Sequence, residues 1–179
     1  NCDLGESFGA WSMPVEAAIM AEIDQANIAC GFHAGDPLVM KQAIRLAKQH
    51  DVDIGAHPAY PDLQGFGRRS MAIAADELSA MIQYQVSALS GMAKVCGANV
   101  SYVKPHGALY NDMMKDTAVM RTVMQSIAEI NMQSLNSPLA LMVQATSQNA
   151  AIKEAAQEWE LPLYFEAFSD RRYTDEGLL

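Results

Sequence analysis

The feature that most restricts the fold of this chain is an alternation of short apolar runs with longer amphipathic ones. The short runs lie at residues 26–30, 52–56, 100–104, 139–143 and 163–165, and residues 1–4 read as the end of a further strand. Each has strand length and gives way to Gly, Pro or polar residues. Helix-period segments lie between them. One spans 14–22, with Pro14 at a favourable first-turn position, and the next runs to about 50 from Asp36-Pro37, with Asp36 as N-cap. Residues 76–95 place Leu78, Met81, Ile82, Val86, Leu89 and Met92 near helical period, and Gly97 supplies a stop. Further helices are predicted at 116–130 and 148–159. Strand–helix alternation of this kind predicts an α/β protein with a mainly parallel sheet flanked by helices.

Length sharpens the problem. A closed barrel of such units takes about 250 residues, whereas this chain has 179. The alternation therefore predicts either an open sheet or a barrel of which this sequence carries only part. Repeats and linkers are absent, so residues 1–179 read as one domain. The 12 basic and 21 acidic residues leave a formal charge of −9, which argues against nucleic acid or an anionic membrane as partner. No apolar run approaches the roughly 20 residues needed to span a bilayer. Three widely spaced cysteines make no disulfide framework, and a cytoplasmic location is expected.

In parallel α/β proteins the site is built at the carboxyl ends of the strands. The residues that follow the runs are Asp3 and Glu6, then His33 and Asp36, then His57 with a loop holding Arg68-Arg69. Lys104 and His106 come next, and Glu166, Asp170 and Arg171 follow the last run. Three of the four histidines thus fall on one predicted rim. His50 ends a helix, where a cationic side chain suits the dipole, and receives no function. A single His reads most simply as a packing residue, but three on one rim point to a shared site. His and carboxylate side chains together support acid–base catalysis or a divalent-metal site, for which Asp3, His33 and His57 are the candidates. Acid–base chemistry is preferred, because no HExxH spacing is present. Asp36 doubles as a helix cap. Lys104, after a buried strand, needs a carboxylate partner or a place in the site, where it would steady an oxyanion or anionic substrate. Arg68 and Arg69 suit bidentate binding of a carboxylate or phosphate. A Walker loop is absent, and Cys30 reads as a buried strand cysteine rather than a nucleophile.

Taken together, NCDLGESFG, NIACGFHAGDP, IGAHPAYPDLQGFGRR, YVKPHGALYN and FSDRRYTDEGLL, in that order, closely resemble the LamB/YcsF family, that of 5-oxoprolinase A subunits. The resemblance implies a distorted seven-stranded β/α barrel like that of polysaccharide deacetylases. It implies ATP-dependent opening of the lactam 5-oxo-L-proline to L-glutamate, with Mg2+ accompanying ATP and with partner subunits B and C. It carries over Asp3, Glu6, His33, Asp36, His57, Lys104 and His106 as functional positions. Family members begin a few residues earlier and continue for roughly two or three β/α units more. A later His-Gly-Asp motif of the family is not in this sequence. The expectation is a barrel domain over 1–179 that is incomplete at both ends. Asp3 or a histidine would activate water, Lys104 would neutralise the oxyanion or phosphate, and Arg68, Arg69 or Arg171 would hold the substrate. The competing readings are a metal-dependent amide hydrolase acting on a carbohydrate or other N-acyl substrate, and a non-catalytic regulatory subunit.

Overall fold

The computed structural model describes residues 1–13, 16–133 and 138–168. Among these, six strands form one sheet: β1 (Cys2–Leu4), β2 (Gln25–Ala29), β3 (Asp53–His57), β4 (Val100–Val103), β5 (Ala140–Gln144) and β6 (Leu163–Glu166). All neighbours are parallel, and the spatial order follows the chain order. Helices α1 (Glu16–Met20), α2 (Pro37–Gln49), α3 (Ala75–Val95), α4 (Gly107–Lys115), α5 (Thr117–Met132) and α6 (Asn149–Gln157) connect the strands. The expected seventh strand is not among the described residues. No helix among them is long and apolar enough to cross a membrane.

The register explains which face is which. One ladder row joins Leu4, Ile28, Ala56, Val103, Leu141 and Leu163. Every member is apolar, and all belong to or pack against the main core beneath the helices. Because strand side chains alternate with period two, the adjacent row points the other way. That row joins Asp3, Asn27, Gly55, Tyr102 and Ala140. It is polar and faces the concave interior, where Tyr102, Ala140 and Met142 form a small separate apolar cluster. A shift in register between Ile54 and Gly55 brings Tyr102 opposite Gly55. Only glycine fits at position 55, since a Cβ there would lie 2.2 Å from the Tyr102 ring.

The sheet curls. Asn1, before β1, donates from Nδ2 to Glu166 Oε2 on β6 at 3.1 Å, so the first and last strands approach each other at their ends. Inside the curl, Tyr102 Oη donates to Asn27 Oδ1 at 2.7 Å, and Asn27 Nδ2 donates to Asn1 and Asp3, each at 2.8 Å. Every polar group so buried needs such a partner. Helix α3 closes the outer layer with Leu78, Ile82, Val86, Leu89 and Ala93, a spacing that keeps one stripe against the core. Each fully buried Leu or Ile contributes about 1.5–3 kcal/mol.

Candidate active site at the carboxyl rim

Each strand end delivers a polar group to the same rim. Glu6 and His33 follow β1 and β2, His57 ends β3, and Lys104 and His106 follow β4. Their residues are buried, with His33 at 0% and His57 at 1% exposure. The ligating atoms of Glu6, His33, His57 and His106 all lie within 4.8 Å of one another. His33 Nε2 lies 3.0 Å from Glu6 Oε1, and its ring stacks on His106 at 3.8 Å between centroids. His33 Nδ1 is buried without a hydrogen-bond partner among the described residues. His57 Nδ1 donates to the Lys104 carbonyl at 2.6 Å, and His106 Nε2 donates to the Phe66 carbonyl at 2.8 Å. The free nitrogens of these two rings, His57 Nε2 and His106 Nδ1, then face each other at 3.0 Å.

Asp3 and Lys104 form the second half of the site. Asp3 Oδ1 lies 3.4 Å from His57 Nε2 and 3.4 Å from Lys104 Nζ. Lys104 Nζ also meets Glu166 Oε2 at 3.2 Å and donates to Asn1 Oδ1 at 3.1 Å, over the Phe168 ring. The predicted need of Lys104 for a carboxylate is therefore met twice. Burial opposes charge on Asp3, but His57, Lys104 and the Asn27 amide outweigh it and hold its carboxyl well below the usual range. Glu6 moves the other way: burial, reinforced by Asp3, raises it above the ordinary carboxylate value. Burial, with the neighbouring His57, pushes His33 down to about 2, and burial with His57 and His33 pushes His106 down to about 3. Two carboxylates on one rim are thus driven apart, the arrangement that separates acid from base roles.

The loop after β3 covers the cluster. Gln85 of α3 accepts from Ala59 N at 2.9 Å and donates back to its carbonyl at 3.0 Å, fixing the loop's start. Arg69 grips both oxygens of the buried Asp62, fixing its middle. At Gly67, with φ of +64°, the backbone passes so close to the rings that a Cβ would sit 2.8 Å from both His106 Cδ2 and His33 Cβ. The Gly67 carbonyl then accepts from Ala108 N at the start of α4, 2.9 Å away.

Of the sequence-predicted residues, Asp3, Glu6, His33, His57, Lys104 and His106 come together. A cleft of about 300 Å³ opens beside them, lined by Asp3, His57, Lys104, His106 and Arg68, with Arg68 over the Phe66 ring at 5.7 Å. A larger cavity of about 660 Å³ lies elsewhere, between α3, α5 and the start of β4, and none of the rim residues lines it. Arg69 and Asp36 are engaged elsewhere. Asp36 spends its oxygens on Leu38 N, Val39 N and Gly9 N, capping α2 and tethering the β1–α1 loop. Arg171 lies outside the described residues. The close-set ligating group contains Glu6 and His106 in place of Asp3, which approaches it from the side through His57. Asn1, Asn27, Tyr102 and Phe66 were not singled out by the sequence pattern. The one signal for Asn27 and Tyr102 was a polar group inside an apolar strand run.

Comparison with known proteins agrees with this picture. The model of the LamB/YcsF family matches residues 1–179. The chain is 54% identical over all its 179 residues to a Pseudomonas putida protein, the 5-oxoprolinase A subunit numbered 2, covering 67% of it. It is 51% identical over its full length to the 5-oxoprolinase A subunit of Vibrio parahaemolyticus, covering 68% of it. The crystal structure of a lactam utilization protein from Thermus thermophilus superposes with a TM-score of 0.88 at 39% identity. The match covers 99% of this chain and 68% of that one. With a family match over its whole length and relatives above half identity, this chain belongs to the LamB/YcsF family.

Proposed function

We propose that this chain acts in ATP-dependent hydrolysis of 5-oxo-L-proline to L-glutamate, as the A subunit of a cytoplasmic assembly with B and C subunits. The observation that carries the reading is the convergence of Asp3, Glu6, His33, His57, Lys104 and His106 on one rim, where Asp3, His57, Lys104 and His106 line a cleft. Identity of 51–54% with proteins named as 5-oxoprolinase A subunits supports the choice of substrate. In this reading the barrel has a seventh strand beyond the six described.

A five-membered lactam is an unstrained amide, so its carbonyl needs activation. Phosphoryl transfer from ATP, accompanied by Mg2+, onto the amide oxygen supplies that activation and releases ADP. Water then adds to the carbonyl carbon, the nitrogen takes a proton, and the ring C–N bond breaks to leave an acyl phosphate, which a second water hydrolyses to L-glutamate and phosphate. Asp3, held ionised and 39% exposed toward the cleft, is placed to take a proton from the attacking water. The Lys104 ammonium balances charge developing on the carbonyl or phosphoryl oxygens. Arg68, exposed at the cleft edge while Arg69 is committed to Asp62, meets the substrate carboxylate, with Arg171 as a second contributor.

Release of glutamate from 5-oxoproline, measured with and without ATP and with and without the partner subunits, tests this reading. Glutamate formed only with ATP and the partners supports it. Turnover of an N-acyl carbohydrate without ATP would replace it by the amide-hydrolase reading. Unchanged glutamate release with the rim residues removed would leave the chain a regulatory role only.

A further inference from the structure

The contact between His57 and His106 turns two ring nitrogens toward one point. His57 Nδ1 is pinned to the Lys104 carbonyl and His106 Nε2 to the Phe66 carbonyl. A carbonyl only accepts, so each ring carries its proton on the pinned nitrogen. The remaining nitrogens, His57 Nε2 and His106 Nδ1, therefore oppose each other 3.0 Å apart in a buried place. Two such nitrogens are joined either by a proton or by a cation. Carboxylates converge on the same point: Glu6 Oε1 lies 3.7 Å from His106 Nδ1, and Asp3 Oδ1 lies 3.4 Å from His57 Nε2.

We propose that Glu6 Oε1, His57 Nε2 and His106 Nδ1 form a binding site for one divalent transition-metal ion, zinc by donor type, with a further coordination position on the Asp3 side. The spacing fits. Ligands held at 2.0–2.1 Å around a tetrahedral ion stand about 3.3–3.4 Å apart, and the observed 3.0 and 3.7 Å bracket that value. The outer contacts fit as well, since a ligating His almost always gives its other N–H to a carbonyl or carboxylate. Two imidazoles and one carboxylate favour zinc, cobalt or iron over the oxygen-seeking magnesium and calcium. His33 orients Glu6 through its 3.0 Å contact and shields the cluster by stacking on His106. Asp3, Glu6 and Glu166 outnumber Lys104 and Arg68, so the surroundings are anionic. The fourth position borders the cleft that His57, His106 and Asp3 line. An ion there would acidify a bound water and polarise a substrate carbonyl, chemistry useful to any amide hydrolase.

Metal binding tests the site without reference to any substrate, so its failure is separate from failure of the 5-oxoproline reading. The full chain, stripped with a chelator, is titrated with Zn2+ by calorimetry and with Co2+ by visible absorption. The expected result is one ion per chain, with intense Co2+ bands of low coordination number that Zn2+ abolishes. His57→Ala and His106→Ala should weaken binding by on the order of 100-fold or more. Glu6→Gln, which keeps the side chain's shape, should weaken it by about 10–100-fold, while His50→Ala leaves it unchanged. Absence of binding by the folded parent chain overturns the proposal. Binding that survives in folded Glu6→Gln and in both His variants overturns it equally.

Discussion

Replacing Lys104 with Met removes the cation at which the first and last strands meet. Its Nζ lies 3.2 Å from Glu166, 3.1 Å from Asn1 and 3.4 Å from Asp3. The Lys104 and Glu166 side chains are each 7% exposed, so the substitution leaves a buried carboxylate without a counterion. Breaking a buried pair from one side costs about 3–5 kcal/mol. Asp3, at 39% exposure, adds little because solvent screens it. In a chain of this size each kcal/mol lowers Tm by roughly 2–4 °C, so the drop should be about 6–20 °C. Removing both charges in Lys104→Met/Glu166→Gln should recover much of the loss, since no unpaired ion remains. Urea unfolding of parent, single and double variants, followed by Trp fluorescence and circular dichroism, closes the cycle. A cost under about 1 kcal/mol for Lys104→Met, or single losses that simply add within about 0.5 kcal/mol, would refute the coupling of this buried pair.

Three other perturbations probe separate parts of the molecule. Gly67→Ala forces a Cβ to within 2.8 Å of the His33 and His106 side chains at φ of +64°. It should cost about 1–3 kcal/mol and disturb the ring stack, read as a lower Tm and an altered Co2+ spectrum. Arg69 holds the Asp62 carboxyl at about 2, down from the ordinary 3.8, so its stabilisation is complete above about pH 4 and fades as pH falls toward 2. Tm against pH should therefore fall less steeply in that window for Arg69→Ala than for the parent, and parallel curves would contradict the assignment. Burial pushes the Cys30 thiol up to about 12, so it should resist thiol reagents at pH 8 until the chain unfolds. Rapid labelling in the native state would contradict that burial.

Much of the fold was legible because strand periodicity and the outer apolar row coincide. Residues such as Ile28, Val103 and Leu141 are both the apolar runs of the sequence and the contact face of the helices. The rim was legible for the same reason: once the strand ends are known, His33, His57 and His106 must share a side. Helix α4 was not anticipated, because its N-cap His106 makes no side-chain cap hydrogen bond and Gly107 opens it, so the usual start signal is missing. The choice between Arg68 and Arg69 was equally hidden, since it depends on Asp62 being turned inward by the loop. The interior network was out of reach for another reason. Tyr102 meets Asn27 across 75 residues and Asn1 meets Glu166 across 165, and nothing local reports such pairings. Asp36 shows the converse, since its local signal stated its role as the cap of α2, while its tether to Gly9 is long-range and was not stated.

The most direct test of the hydrolytic reading is glutamate formation from 5-oxoproline, counted against ATP consumed, by the assembled subunits carrying His106→Ala or Asp3→Asn in this chain. Glutamate and ADP should form in equal amounts with the parent assembly. Either variant should lose glutamate formation while the assembly stays intact. Glutamate formation at the parental rate in both variants would contradict a catalytic role for this rim.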